Sequence, residues 1–313
     1  MRGTKKEKVE REERTGTQRT TPDANFTESF MMQNTQELSS AGREKLAERL
    51  LAVMAELGPC TVAFSGGVDS CVLARAAVES ARKNGWNTFA VTAESPSMPR
   101  ADLEEIRKIA QEIGIPHEFV RTEELQLAEY RANGTDRCFH CKRHILARLK
   151  ETAQNAGSAQ LAEGSNADDL HDFRPGFRAV QEHGVRSPLC EAGLTKKNVR
   201  ELAHFWNLST AEKPSTPCLA TRIAYGLEIT QERLAQIEFA EKWLAEKGVS
   251  PLRVRLHENG LARIETTPEW FPFLTRPEIR EEMLAEFRKA GFTWVSLDLA
   301  GFQSGSLLQA VSL

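Results

Sequence analysis

The 313-residue sequence predicts an α/β fold, with a parallel sheet wrapped by helices and a smaller C-terminal α+β part. Three observations carry that expectation. Short apolar runs alternate with helical stretches from residue 60 to residue 120. The first run ends in a glycine turn, Ser65-Gly66-Gly67-Val68-Asp69-Ser70, that opens a helix. Beyond Arg222 the order changes to a long helix, two short strands, a helix and a strand.

In chain order, residues 1–37 mix charged and polar side chains without apolar periodicity and are expected to be a disordered extension. Met31 and Met32 precede the first periodic segment, and translation is expected to start there. Ser39 or Ser40 caps a helix to about Leu57, with Leu46, Leu50, Val53, Met54 and Leu57 on one face. Strand 60–65, helix 70–84, strand 88–93, helix 99–113 and strand 117–120 follow. The run Ala159–Ala162 then leads into Glu163-Gly164-Ser165-Asn166-Ala167-Asp168-Asp169, the same strand-then-polar-turn form as the glycine turn. A helix over 195–206 completes this part. The C-terminal part reads as helix 230–247, strands 252–257 and 261–265, helix 277–290 and strand 293–299. The expected domains are therefore 38–227, carrying the parallel sheet, and 228–313, a substrate-binding or oligomerising α+β unit.

A net charge of −3 carries no basic excess, which weighs against a nucleic-acid partner held by bulk charge. No run reaches the roughly 18 apolar residues of a membrane span, and the N-terminal residues lack the apolar core of a signal peptide. A cytoplasmic location is expected. Six cysteines in such a chain read as thiols or metal ligands rather than a disulfide framework.

A buried strand running through two glycines into a helix start presents unpaired N–H groups and a helix dipole at one point, an anion site suited to phosphate. Ser65 and Ser70 add hydroxyls, and Asp69 beside phosphates implies an intervening Mg²⁺ or a helix cap. The Walker A spacing and its lysine are absent. Cys138 and Cys141 stand three residues apart, close enough to grip one metal or cluster, although a redox dithiol or a zinc knuckle would use the same spacing. Cys218 follows two prolines, between Lys213 and Arg222, whose charges would favour a thiolate. Cys60 and Cys71 read as small buried hydrophobes, and Cys190 is left open. Arg253 and Arg255 alternate along a strand and share a face that suits either solvent or a phosphate. Glu163, Asp168, Glu265 and Asp298 are acids at strand ends or turns, candidates for Mg²⁺.

The SGGVDS loop resembles that of the PP-loop ATP pyrophosphatases. The wider set SGGVDS, RCFHCK, EGSNADD, GVRSPLCEAGLTK, KPSTPCLATRI, RVRLHENGLARIE and LDLAGFQSGS resembles the LarE family over roughly residues 40–308. That resemblance implies an ATP-dependent sulfurtransferase that adenylylates the carboxylates of pyridinium-3,5-biscarboxylic acid mononucleotide and converts them to thiocarboxylates of the nickel-pincer nucleotide. It also implies ATP and pyrophosphate at Ser65, Gly66, Gly67, Val68, Asp69 and Ser70, with Mg²⁺, and a homo-oligomer. The substrate phosphate would be bound by Arg253, Arg255 and Arg222. With cysteines at all three matching positions, Cys138, Cys141 and Cys218 would act in catalysis as holders of a 4Fe-4S cluster rather than through a single sacrificial cysteine. Gln303 departs from the arginine of many relatives. Two other readings share these motifs: a tRNA thiolase of the same superfamily, and a zinc-held nucleotide-binding protein without activity.

Overall fold

The structure, a computed structural model, describes residues 38–158, 160–170, 175–303 and 305–309. The extension read at 1–37 and the start at Met31 lie outside the described residues.

The first helix, α1 (Ser40–Leu57), is capped by the Ser39 hydroxyl, which accepts from the Gly42 amide at 3.2 Å. It buries Leu46, Leu50, Met54 and Leu57, the face that the 3.6-residue period predicts. Strand β1 (Cys60–Ala63) leads through the glycine turn into α2 (Val68–Asn84), two residues earlier than the apolar period suggested. Then come β2 (Phe89–Glu94), α3 (Arg100–Ile113) and β3 (His117–Arg121). Gly85 and Gly114 close α2 and α3 in the left-handed conformation, for which a residue without Cβ is suited.

A long helix that the sequence reading did not mark, α4 (Arg137–Asn155), comes next, followed by β4 (Gln160–Ala162), α5 (Pro175–Glu182) and α6 (Lys196–Phe205). The first turns of α4 are dense in charge, which hides its apolar face. That face is Phe139, Leu146, Leu149 and Ala153. Helix α6 opens with a capping box between Thr195 and Asn198.

Strands pair in the order β3-β2-β1-β4, and every pairing is parallel. Helix α2 packs on β1, α1 and α6, while α4 packs on β2, β4 and α5. Both faces of the strands are therefore covered, as their continuous apolar runs require. The carboxyl ends of β1, β2 and β4 open on one cleft.

Helix α7 (Gln231–Glu246), β5 (Leu252–His257), β6 (Leu261–Thr266), α8 (Pro277–Lys289) and β7 (Trp294–Leu297) make the second sheet and its cover. Its order is β5-β6-β7, antiparallel and then parallel. Ile237, Trp243 and Leu244 of α7 meet Val254, Leu256, Ile264 and Phe287 in one buried cluster. Leu219, Ala220 and Ile223 belong to the same cluster, and Ile223 bridges in parallel to Leu256. The segment that carries Cys218 is thereby anchored to the second sheet.

Candidate active site

The glycine turn is built by its own side chains. Gly66 takes φ +70°, and a Cβ there would lie 2.7 Å from the Ile106 side chain, so the position excludes larger residues twice over. The Ser70 hydroxyl donates to the Gly67 carbonyl at 2.9 Å and accepts from the Ser65 amide at 3.2 Å. With that hydrogen committed, the Ser65 hydroxyl donates to Ser70 Oγ at 3.2 Å and accepts from the Gly67 amide at 3.4 Å, so the turn's two hydroxyls are tied to each other and to its backbone.

Asp69 does not cap the helix. Its carboxylate accepts from Lys196 Nζ and, at 3.1 Å, from Asn166 Nδ2. Lys196 is the first residue of α6, and its amide is held at 2.8 Å by Asp168 Oδ2. Of the acids read as Mg²⁺ candidates, Asp168 is thus a helix-start acceptor. Gly164 lies so close to the turn that a Cβ would be 3.0 Å from the Ser70 amide nitrogen. The polar turn after β4 therefore docks directly on the glycine turn after β1.

Glu163, at the end of β4, is buried and accepts from Lys142 Nζ at 2.9 Å and from the hydroxyls of Ser165 (2.9 Å) and Ser187 (2.6 Å). Burial works to raise its pKa, but the Lys142 charge and these hydrogen bonds outweigh it and hold the carboxyl below its ordinary range. Lys213 reaches the Gly66 carbonyl at 3.3 Å and Glu105 at 2.9 Å. Of three lysines that the sequence reading left without a nucleotide role, Lys196 and Lys213 meet the glycine turn and Lys142 meets Glu163 at the end of β4. Their only signal in the sequence was membership of the quoted motifs, because each comes from a different segment.

Ser65, Asp69, Ser70, Glu163, Cys141 and Cys218 all line one cleft of about 450 Å³. Cys138 and Cys141 sit in the first two turns of α4, and Cys218 precedes a single turn, 219–222, whose Leu219 amide donates to Ser97 at 2.8 Å. Burial raises the Cys138 thiol, and Cys218 raises it further. Cys141 is pushed well above its ordinary value by burial, then by Glu124, Cys218 and Cys138. Cys141 and Cys218 line the same cleft and pack on the same apolar cluster, and Cys138, exposed, stands three residues before Cys141 on α4. Lys213 and Arg222, expected to act on the Cys218 sulfur, bond elsewhere, Lys213 to the Gly66 carbonyl and Glu105, Arg222 to Glu241 and backbone carbonyls.

The thiols suit the cluster that the resemblance implies. All three are free, and soft sulfur donors match iron. Among the described residues no three His, Cys, Asp or Glu side chains stand close enough to enclose a single ion. A cluster takes one thiolate per iron, so its ligands are more widely spaced than those of one ion. Mg²⁺ at Asp69 would need only that carboxylate and the phosphates.

Cys60 and Cys71 are buried, and burial pushes their thiols up to about 11 and about 12. Cys190 donates to the carbonyls of Asn166 (2.9 Å) and Ser165 (3.2 Å), tying down the turn after β4.

The arginines separate into two kinds. Arg222, 1 % exposed, donates from Nε and Nη2 to Glu241 (3.0 and 3.1 Å) and from Nη1 to the carbonyls of Pro217 (2.6 Å) and Cys218 (3.1 Å). Arg255 is buried against Glu265 at 2.9 Å and the Thr221 carbonyl at 3.0 Å. Both are committed within the protein. Arg253 shares a face with Arg255 as the alternation required, but among the described residues it donates only to the adjacent Leu252 carbonyl, and it lies over the Phe302 ring at 5.2 Å. Burial, then Arg222, lowers its pKa. It opens on a second groove of about 1070 Å³, and Thr216 lines both this groove and the cleft. Glu265, fully buried, also takes Arg263 at 2.9 Å and the Ser306 hydroxyl at 2.5 Å, and Asp298 pairs with Arg263. These two acids form an arginine cluster in the second sheet and do not line the cleft that Asp69 and Glu163 line.

The asparagine synthase family profile matches residues 41–138. An uncharacterised protein of Synechocystis sp. is 40% identical over 84% of this chain and 97% of its own length. The pyridinium-3,5-bisthiocarboxylic acid mononucleotide synthase of Lactiplantibacillus plantarum is 33% identical over 82% of this chain and 92% of its own. The chain belongs to the LarE family. The tRNA-specific 2-thiouridylase MnmA of Heliobacterium modesticaldum is more distant, 27% identical over 50% of this chain and 49% of its own. The asparagine synthase match covers the first part of the PP-loop-like domain and ends before the second sheet. Among the described residues no helix is long and apolar enough to cross a membrane.

Proposed function

We propose that the protein is an ATP-dependent sulfurtransferase acting on the carboxylates of pyridinium-3,5-biscarboxylic acid mononucleotide. The observation that carries this reading is that the phosphate turn and two of the three thiols, Cys141 and Cys218, open on one cleft. Residues 38–227 are taken as the nucleotide half and 228–313 as the substrate half. In the first step a substrate carboxylate oxygen bonds to the α-phosphorus of ATP, the α–β bond breaks, and pyrophosphate leaves with the electron pair. The amides at the start of α2, the Ser65 hydroxyl and Lys196 face that leaving charge, with Mg²⁺ at Asp69. Lys196 then exchanges Asp69 for the phosphates when nucleotide and Mg²⁺ arrive. In the second step a sulfur nucleophile bonds to the acyl carbon and AMP departs.

Cys138, Cys141 and Cys218 would hold the 4Fe-4S cluster, which when bound supplies an iron without a protein ligand, able to carry sulfide. Arg253 is the cation we assign to the substrate phosphate, because Arg222 and Arg255 are already paired. The Thr216–Cys218 strip lies between that groove and the cleft, so a substrate phosphate at Arg253 would direct the pyridinium toward the thiols.

A second reading, a tRNA thiolase, rests on the likeness to the 2-thiouridylases. One experiment tests both. Pyrophosphate release from ATP is followed with the mononucleotide or with tRNA as acceptor. Release that depends on the mononucleotide, with thiocarboxylate formed by wild type and not by Cys218→Ala, supports the first reading. Release that depends on tRNA and falls with salt supports the second.

A further inference from the structure

The three thiols come from segments 77 residues apart or more, Cys138 and Cys141 on α4 and Cys218 before the 219–222 turn. One buried side chain joins the two segments. Asn133 is fully buried and takes φ +55°, a conformation that asparagine tolerates better than most residues. Its Nδ2 donates to the carbonyls of Ala224 at 2.8 Å and Leu227 at 2.9 Å, with Ile223 at 3.4 Å. An amide has two hydrogens, so the two short contacts use both. Its Oδ1 accepts from Arg137 Nη1, and its carbonyl accepts from the Gly226 amide at 3.1 Å. Arg137 begins α4, is itself buried, and lies over the Tyr225 ring at 4.5 Å.

From this knot the two arms are short. Arg137 is the neighbour of Cys138, and Ile223 directly follows the turn that Cys218 opens. We propose that Asn133, acting through Arg137 on one side and the 223–227 carbonyls on the other, is the positioning residue that brings Cys218 to Cys138 and Cys141. The inference rests on the reading of the three thiols as one site. Among the described residues no other side chain hydrogen-bonds both to the first residue of α4 and to the 223–227 loop.

The test uses the full chain, reduced and metal-free, treated with a short bifunctional thiol-alkylating reagent, with cross-linked peptides counted by mass spectrometry. Cys138–Cys141, on one helix, is the internal reference, and the readout is the ratio of Cys218 cross-links to that reference. Asn133→Asp keeps the shape and the tolerance for positive φ but turns two donors into a charge facing carbonyls. Asn133→Gly keeps the backbone and removes the side chain. Both should lower the ratio about ten-fold, because the effective concentration of one segment at the other is lost, while circular dichroism and pyrophosphate release persist. A wild-type ratio in both variants overturns the inference. A wild-type protein that forms the Cys138–Cys141 link but none to Cys218 overturns the reading of one thiol site, and the inference with it.

Discussion

At the scale of single residues, the site is defined by which charged groups are already paired. Sequence alternation put Arg253 and Arg255 on one face, yet only the partners decide their use. Glu265 takes Arg255, Glu241 takes Arg222, and Arg253 is left facing a groove. Arg253→Met should therefore raise the KM for the mononucleotide by roughly ten- to a hundred-fold with little change in kcat, read from initial rates of pyrophosphate release. With Asp69 as the proposed Mg²⁺ carboxylate, Asp69→Asn should slow pyrophosphate release about a hundred-fold. Asn166 and Lys196 already satisfy that carboxylate, so folding should survive. His117 carries a pH prediction. Burial first, and then Arg107, lowers its pKa from 6.5 to about 4. The Thr92 hydroxyl donates to the Phe64 carbonyl at 2.5 Å, so His117 Nε2, 2.7 Å from the same hydroxyl oxygen, donates a hydrogen and the ring is neutral. Below pH 6.5 the unfolded chain takes up a proton that the folded protein refuses. The stability is thus intact above 6.5 and is lost progressively down to about pH 4. Denaturant midpoints between pH 7 and pH 4 should fall less steeply in His117→Gln than in wild type.

At the scale of elements, the strand ends matter more than the strands. The turns after β1 and β4 are packed backbone to backbone, with Gly164 against the Ser70 amide. Gly164→Ala would push these turns apart. It should cost about 1–3 kcal/mol by overpacking and weaken ATP binding roughly ten-fold, measurable by calorimetric titration and by denaturation. Wild-type affinity in this variant would show that the docking of the two turns is not required. The alternation of apolar runs made the parallel strands legible because both faces of such strands are buried. Helix α4 was not legible, because the Arg137-to-His144 stretch that carries Cys138 and Cys141 is polar on every side but one. Its apolar spacing of Phe139, Leu146, Leu149 and Ala153 is evident only once the helix is known. The CxxC spacing gives two thiols without an assigned element in the sequence, and in the fold they stand on the first turns of a helix.

At the scale of the whole molecule, the Cys218 segment is gripped by both sheets. Leu219 donates to Ser97 beyond β2, Ile223 bridges to β5, and Arg222 is locked to Glu241 of α7, which also accepts from the Val254 amide at 3.0 Å. Glu241→Ala would leave the Arg222 charge buried without its partner. The expected cost is about 3–5 kcal/mol, a fall in Tm of roughly 10 °C. It should be accompanied by faster alkylation of Cys218 than of Cys141. The sequence by itself determined the α/β class, the order of strands along the chain, the phosphate turn and the three thiols as candidates. Those features are written in local periodicity, in glycine chemistry and in short spacings. Only the tertiary structure decided that Lys196 and Lys213 meet the glycine turn, that Lys142 meets Glu163, and that Arg222 and Arg255 are paired with carboxylates while Arg253 faces a groove. It also decided that Asn133 ties the thiol segments together. Pairing between distant side chains depends on which carboxylate or carbonyl reaches each group first in three dimensions, and no local pattern in the chain encodes that.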